Sequence, residues 1–313
     1  MRILVYGCGV IGSLLVHALC TAGNEVTMIS RGRWKEILST DGLHLKHVLQ
    51  HKETIDHPEA AEQVTENVSW DLVFPVMQGW QQEALLDTLA GIHGKMLVLI
   101  GNNPLCHEME KKIHGLTPEQ KVLFGFQSSA GVREEHAVKI FRAGKTGLTL
   151  GYVHQKPEEP ERKMLGQALD GSGFCLEWCD DMQGYLYTHA AFCSALRVSL
   201  LWAWMRFENS PVRRDQTRGS GSQGGIPAED EKYDQSRVWA IVMDLMLYGM
   251  AKTGIGEYCI SDHCRNAVEE MEWMDQCFAA LKNDYPDAST LEWDRLRQEM
   301  PSWKTLHQRY SGK

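Results

Sequence analysis

The hydrophobic rhythm of the chain changes once along its length. In the first half, short apolar runs alternate with stretches whose apolar residues recur every three or four positions. Ile3–Tyr6 reads as a buried strand. Val10–Ala22 reads as a helix, with Ile11, Leu14, Leu15, Ala18 and Leu19 at helical spacing. Glu25–Ser30, Asp71–Val76 and Met96–Ile100 are further strands. Gln81–Ala90, with Ala84, Leu85, Leu86 and Leu89 on one side, is a helix between the last two. Such alternation predicts a parallel sheet with helices on both faces. Lys121–Phe126, Ala137–Arg142 and Leu148–Tyr152 then read as strands. The turn Ala143-Gly144-Lys145 joins the last two as a hairpin, an antiparallel extension of the sheet. Pro157–Asp170 reads as helix and Phe174–Trp178 as a final strand.

Beyond about residue 180 the strand signals stop. Tyr185–Phe207 and Asp234–Thr253 are long helical patterns, and 262–282 and 288–299 read as helices too. Asn209–Asp230 is rich in Gly, Ser, Arg and Pro and reads as a flexible loop. The expected fold class is therefore α/β: a Rossmann-type doubly wound sheet over 1–179, with an antiparallel extension, and an all-helical domain over 180–313 for substrate or dimerisation. The apolar stripe Val238, Ile241, Val242, Leu245 and Tyr248 suits a homodimer or core packing equally.

Composition narrows the classes. The 313 residues are 43% hydrophobic and 9% aromatic, which excludes a disordered chain and suits two domains. Lys plus Arg total 32 against 41 Asp plus Glu, a net charge of −9. That balance speaks against nucleic acid or an anionic membrane as partner, and leaves room for a local basic pocket. The nine cysteines include no Cys-x-x-Cys pair and read as reduced thiols of a cytoplasmic protein. The N-terminus runs straight into a strand, with no leader pattern. The most apolar stretches, 190–205 and 238–251, are broken by Arg197 and Asp244, so no membrane span is expected. His44, His47, His51 and His57 read as scattered surface histidines, and no metal site is expected.

The chemistry begins at Gly7-Cys8-Gly9-Val10-Ile11-Gly12. This Gly-x-Gly-x-x-Gly follows a strand and opens a helix, the context in which it cradles a dinucleotide diphosphate. Gly7 allows the tight turn, Gly9 lets the backbone approach the diphosphate, and Gly12 lets helix pack on strand. Cys8 reads as packing within that turn. The second strand ends Ile29-Ser30-Arg31-Gly32-Arg33, without the acid that would bond a ribose 2′-hydroxyl. Ser30 and Arg31 suit a 2′-phosphate instead, so the expected cofactor is NADP(H).

With these residues in view, the chain resembles the ketopantoate reductase (2-dehydropantoate 2-reductase) family. The likeness lies in Arg2–Gly12, Ala18–Val26 and Arg31. Val76-Met-Gln-Gly-Trp-Gln81, Leu99-Ile-Gly-Asn-Asn103 and Gly125–Arg133 fit as well. The resemblance covers about 1–180; beyond that it is architectural. It implies NADPH-dependent reduction of a 2-keto acid, with Gly7–Gly12, Arg31, Met77, Gln78, Asn102 and Gly131 lining the cofactor. Asn102 would lie near nicotinamide and substrate.

The departures from the family pattern are chemical. Gln78 stands where the family has a lysine. His189, Cys193 and Arg197 stand where it has its principal catalytic lysine and two asparagines, and no lysine occurs from 164 to 231. Spacing of four puts these three on one helix face. A protonated His189 could donate to a developing alkoxide, and Arg197 could hold the carboxylate of a small anionic substrate. The same face equally suits core packing. Glu257, Glu269 and Glu270 are candidates for the family's late glutamate. The expected function is hydride transfer between NADP(H) and a small carbonyl compound. The alternative is a non-catalytic NADPH sensor or interaction protein that has lost the family's lysines.

Overall fold

The computed structural model describes residues 1–65, 68–191, 267–284 and 291–310. Eight strands form the main sheet, in the order β12-β11-β8-β7-β6-β1-β2-β5. They are β1 (Arg2–Tyr6), β2 (Glu25–Ile29), β5 (Glu59–Ala61), β6 (Trp70–Pro75), β7 (Gly94–Ile100), β8 (Val122–Gln127), β11 (Thr146–Gly151) and β12 (Phe174–Trp178). From β8 to β5 every neighbouring pair is parallel; β11 turns antiparallel to β8, and β12 runs parallel to β11. The strands are apolar without alternation because both faces are covered. Ile3, Val5, Phe74 and Val98 pack on one face, while Leu4, Val73, Leu97 and Leu99 pack on the other.

The expected hairpin does not form. β10 (Val138–Phe141) leaves β11 and pairs parallel with β3 (Leu43–His47). With β4 (Lys52–Asp56) and β9 (Ala130–Arg133) these make a second sheet, ordered β4-β3-β10-β9. The antiparallel extension of the main sheet is thus built by β11 and β12 alone. The reason lies in α1 (Val10–Thr21), which is buried at Gly12, Ser13, Leu14, Leu15, Val16, Ala18 and Leu19. A helix that apolar must be covered on more than its sheet side. The small sheet supplies the cover, with β3, β9 and β10 packed against α1.

This corrects a second expectation. His47 is 1% exposed, its ring packed on that of His17 and its Nε2 bonded to Thr54 at 2.9 Å. It is a core histidine rather than a surface one. Burial first, and then the neighbouring His17, pushes its pKa down to about 4.

The other helices of the first half are α2 (Arg33–Thr40), α3 (Gly79–Ala84), α4 (Leu86–Ala90), α5 (Cys106–Leu116) and α6 (Glu159–Ala168). The single helix expected over Gln81–Ala90 is broken at Leu85, whose φ of −108° and ψ of 6° leave the helical range. Residues 182–191 are helical and bury Met182 and Leu186 against the face covered by α4 and α5. The described C-terminal residues are helical: α7 (Val268–Asp284), α8 (Leu291–Glu299) and α9 (Trp303–Tyr310). Asp234–Thr253, its apolar stripe and the loop 209–230 lie outside the described residues. Among the described residues no helix is long and apolar enough to cross a membrane. Cys8, Cys20, Cys106, Cys175, Cys179 and Cys277 are free thiols.

Candidate active site

Parallel strands bring their carboxyl ends to one edge of the sheet, which is where open α/β sheets bind ligands. Here the connections depart to opposite sides between β1 and β6, and the chain leaving β1 is Gly7–Gly12. Gly7 has φ 131°, and a Cβ on it would lie 2.2 Å from the carbonyl oxygen of Val76. A Cβ on Gly12 would lie 2.2 Å from the carbonyl oxygen of Gly7 itself. Both positions are closed to any other residue by backbone. Gly9 differs, since a Cβ there would meet nothing within 4 Å. Its space opens outward at the N-terminus of α1, whose N-cap carries no side-chain hydrogen bond and whose first turn holds no acid. The turn therefore fits an anionic diphosphate, with Val10 and Ile11 supplying the first helical turn.

Cys8 is half-buried, and burial raises its pKa against the opposing pull of Arg133 and Arg31. That suits packing more than reactivity. Gly131 has its own structural reason: a Cβ on it would lie 2.1 Å from the Lys139 carbonyl oxygen and 2.8 Å from Val10. It lets β9 pass close under the start of α1.

At the end of β2, Ser30 is 3% exposed and its hydroxyl has no hydrogen-bond partner among the described residues. Arg31 is exposed and makes no ion pair among them. Arg33 is engaged elsewhere, with Glu135 at 2.5 Å and His136 at 3.1 Å. Sequence reading missed Arg133. It stacks over Trp34, 5.2 Å from the ring centroid, and reaches Cys8 Sγ at 3.8 Å. Two guanidinium groups, Arg31 and Arg133, thus flank the glycine turn.

The ends of β6 and β7 are tied by Gln82, which is fully buried. Its Nε2 faces the carbonyl oxygens of Ile100 (2.9 Å), Pro75 (3.2 Å) and Met77 (3.2 Å), and its Oε1 accepts from Asn103 at 2.6 Å. Met77 and Gln78 lead into α3. The Gln78 carbonyl side chain accepts from the Trp80 indole at 2.8 Å, so its amide is held against its own helix start. Neither Gln82 nor its clasp has a local signal, because a glutamine on a helix reads as solvated.

The C-terminal helix α7 docks on both turns. The Trp273 ring occupies the space a Cβ on Gly79 would need, 2.4 Å away, and its Nε1 donates to Glu83 at 2.8 Å. One turn earlier, Glu270 is 4% exposed and accepts from Asn102 Nδ2 at 3.2 Å. Asn102 is itself 7% exposed, and its Oδ1 is buried without a partner among the described residues. Of the three candidate glutamates, Glu270 reaches the site, Glu269 is exposed, and Glu257 lies outside the described residues.

His189 lies over the carboxyl end of β8. Its ring is 3.8 Å from that of Phe126 and stacks parallel to Tyr185 at 6.0 Å. The next residue, Gln127, donates to the carbonyl of Ile11 at 3.2 Å. Since Gly125 pairs with Ile100, the ends of β7 and β8 are neighbours. His189 and Asn102 thus belong to the same edge of the sheet as the glycine turn. Cys193 and Arg197 lie outside the described residues.

Residues 3–155 match the family model described as ketopantoate reductase PanE/ApbA. No curated protein matches the chain by sequence. Solved structures with a similar fold include D-mandelate dehydrogenase in a complex with NADH and anilino(oxo)acetate. It is 14% identical, with a TM-score of 0.64 over 99% of both chains. The 2-dehydropantoate 2-reductase of Geobacter metallireducens GS-15 is 14% identical, with a TM-score of 0.56 over 99% of this chain and 94% of that one. The enzyme of the same name from Methylococcus capsulatus is 20% identical, with a TM-score of 0.50 over 65% of this chain and 64% of its own. The stretch that matches the ketopantoate reductase PanE/ApbA model carries the glycine turn, both arginine-bearing segments and Asn102.

Proposed function

We propose that the protein is an NADP(H)-dependent oxidoreductase that interconverts a small 2-keto acid-like substrate and its hydroxy acid. The observation that carries the reading is the Asn102–Glu270 contact. A buried carboxamide holds one end on a buried carboxylate, and its Oδ1 at the carboxyl edge of the sheet has no partner among the described residues. Buried polar atoms are rarely left unpaired, so an orphaned acceptor at such an edge marks a ligand position.

The nicotinamide cofactor supplies hydride when bound. Gly7, Cys8, Gly9, Val10, Ile11 and Gly12 are assigned to its diphosphate, with Met77, Gln78 and Gly131 around them. Arg31 is assigned to the 2′-phosphate, with Arg133 beside it. Arg31 and Arg133 are both exposed and make no ion pair among the described residues, and the buried Ser30 hydroxyl beside Arg31 has no partner among them. Asn102 orients the reacting groups, and Glu270 positions Asn102. His189 takes the place of the family's lysine by holding the proton that the carbonyl oxygen needs. The sequence spacing assigns Arg197 to the substrate carboxylate. The same reading makes 1–179 and 180–313 two domains of a cytoplasmic enzyme with reduced thiols.

Titration with NADPH and NADH, followed by nicotinamide absorbance over a panel of 2-keto acids, tests this. Tighter binding of NADPH, and its oxidation by a keto acid, is the expected result. Tight binding without turnover across the panel would favour the sensor reading, and no binding of either nucleotide would overturn both.

A further inference from the structure

A second cluster lies away from the glycine turn. His107 and Glu110 stand three residues apart on α5, and so share a helix face. His154 reaches them from the segment after β11. His107 Nδ1 and His154 Nε2 are 2.7 Å apart, with the rings edge to face at 83°. Glu110 Oε2 is 3.6 Å from the same His154 nitrogen. One ligand atom of each residue lies within 4.8 Å of both others. Both histidines are exposed, while the Glu110 side chain is only 9% exposed.

We propose that His107, Glu110 and His154 form a binding site for a divalent transition metal of the zinc class. Two imidazoles and one carboxylate are a donor set that zinc takes, leaving a fourth position for water. Tetrahedral Zn–N bonds of about 2.1 Å place two nitrogens about 3.4 Å apart, so the rings must separate by about 0.7 Å. Exposed side chains accommodate that. The buried carboxylate gives the site its polarity. A carboxylate buried beside two imidazoles is matched by a cation bound among them. The site is distinct from the redox site and does not rest on the function proposed for it. It begins five residues after Asn102, so a bound ion would pin the start of α5 to the segment following β11.

The test uses the full-length protein stripped of metal, titrated with Co2+ and then with Zn2+ against a chromophoric chelator. The nine cysteines make the spectrum decisive. The proposal expects one equivalent of Co2+ bound with no thiolate charge-transfer band, displaced by Zn2+. It expects His154→Ala and His107→Ala each to weaken that binding by at least about 10-fold. Both replaced side chains are exposed, and a thermal melt in the absence of metal verifies that the variants fold. Absence of saturable binding, a thiolate spectrum, or equal affinity in both variants and the parent would overturn it.

Discussion

The two halves of the candidate site are built by different means. The diphosphate corner is made of backbone: Gly7 and Gly12 are each closed by a carbonyl oxygen 2.2 Å from where a Cβ would be. Its glycines come from one continuous stretch of six residues, Gly7–Gly12, closed from outside by the Val76 carbonyl. The reaction corner is made of side chains. Asn102 and Glu270 are 168 residues apart, and what joins them is the docking of α7 on the turns after β6 and β7. Backbone geometry tolerates almost no substitution, whereas a side-chain constellation can exchange members while the fold stays. On this division the glycine turn can match the family model while the side chains around it vary.

The largest effect should come from Gly12→Ala, which forces a methyl group into the Gly7 carbonyl. We expect a loss of more than about 4 kcal/mol in urea unfolding, or no soluble protein. Gly9→Ala should instead keep its stability within about 0.5 kcal/mol, because its Cβ meets nothing within 4 Å. Its affinity for NADPH should nevertheless fall by at least about 10-fold, since the methyl enters the diphosphate space. A stable variant that binds NADPH normally would dissolve the contrast between the two glycines.

Next, Glu270→Gln should lower kcat by about 100-fold, or about 2.7 kcal/mol, with NADPH affinity nearly unchanged. An equal loss in cofactor binding would move Glu270 from the reaction corner to the cofactor corner.

A smaller effect follows from His47, which supports α1 from the small sheet. Its pKa is lowered from 6.5 to about 4, so the folded state resists a proton that the unfolded chain accepts. Stability is therefore complete above pH 6.5 and is lost as pH falls through that value towards 4. Between pH 7 and pH 5 the loss should be about 2 kcal/mol, read from urea midpoints, and His47→Gln should flatten it. An unchanged slope in that variant would assign the acid sensitivity elsewhere.

The smallest effect expected is from Arg31→Ala, which should cut the preference for NADPH over NADH by about 10-fold in paired titrations. Equal losses for both nucleotides would remove Arg31 from the 2′-phosphate.

What could be read from the sequence follows the same division. The glycine turn, the alternation of strands and helices and the acid-free end of β2 are local patterns, and residues within a few positions carry them. The small sheet was not foreseen: Leu43–Leu49 reads as strand-like, but β4 (KETID) is short and polar, and the partner strand β10 lies far along the chain. The one signal for it was that α1 is apolar on nearly every side. The hairpin was misread because a tight turn at Gly144 joins strands that belong to different sheets. Arg133, Gln82 and Glu270 are polar residues on ordinary elements; only tertiary contacts bring them to the site. Sequence does not choose among Glu257, Glu269 and Glu270; of the two that are described, Glu270 is the one that bonds Asn102.

The most direct test of the account is transfer of the label itself. The protein would be mixed with NADPH deuterated at the transferable position of the nicotinamide and with the most active 2-keto acid. We expect deuterium on the carbinol carbon of the hydroxy acid product, with the nucleotide oxidised in equal amount. Nucleotide bound tightly but recovered reduced, with the keto acid unlabelled and unchanged, would contradict the reductase reading and leave a protein that binds its cofactor without using it.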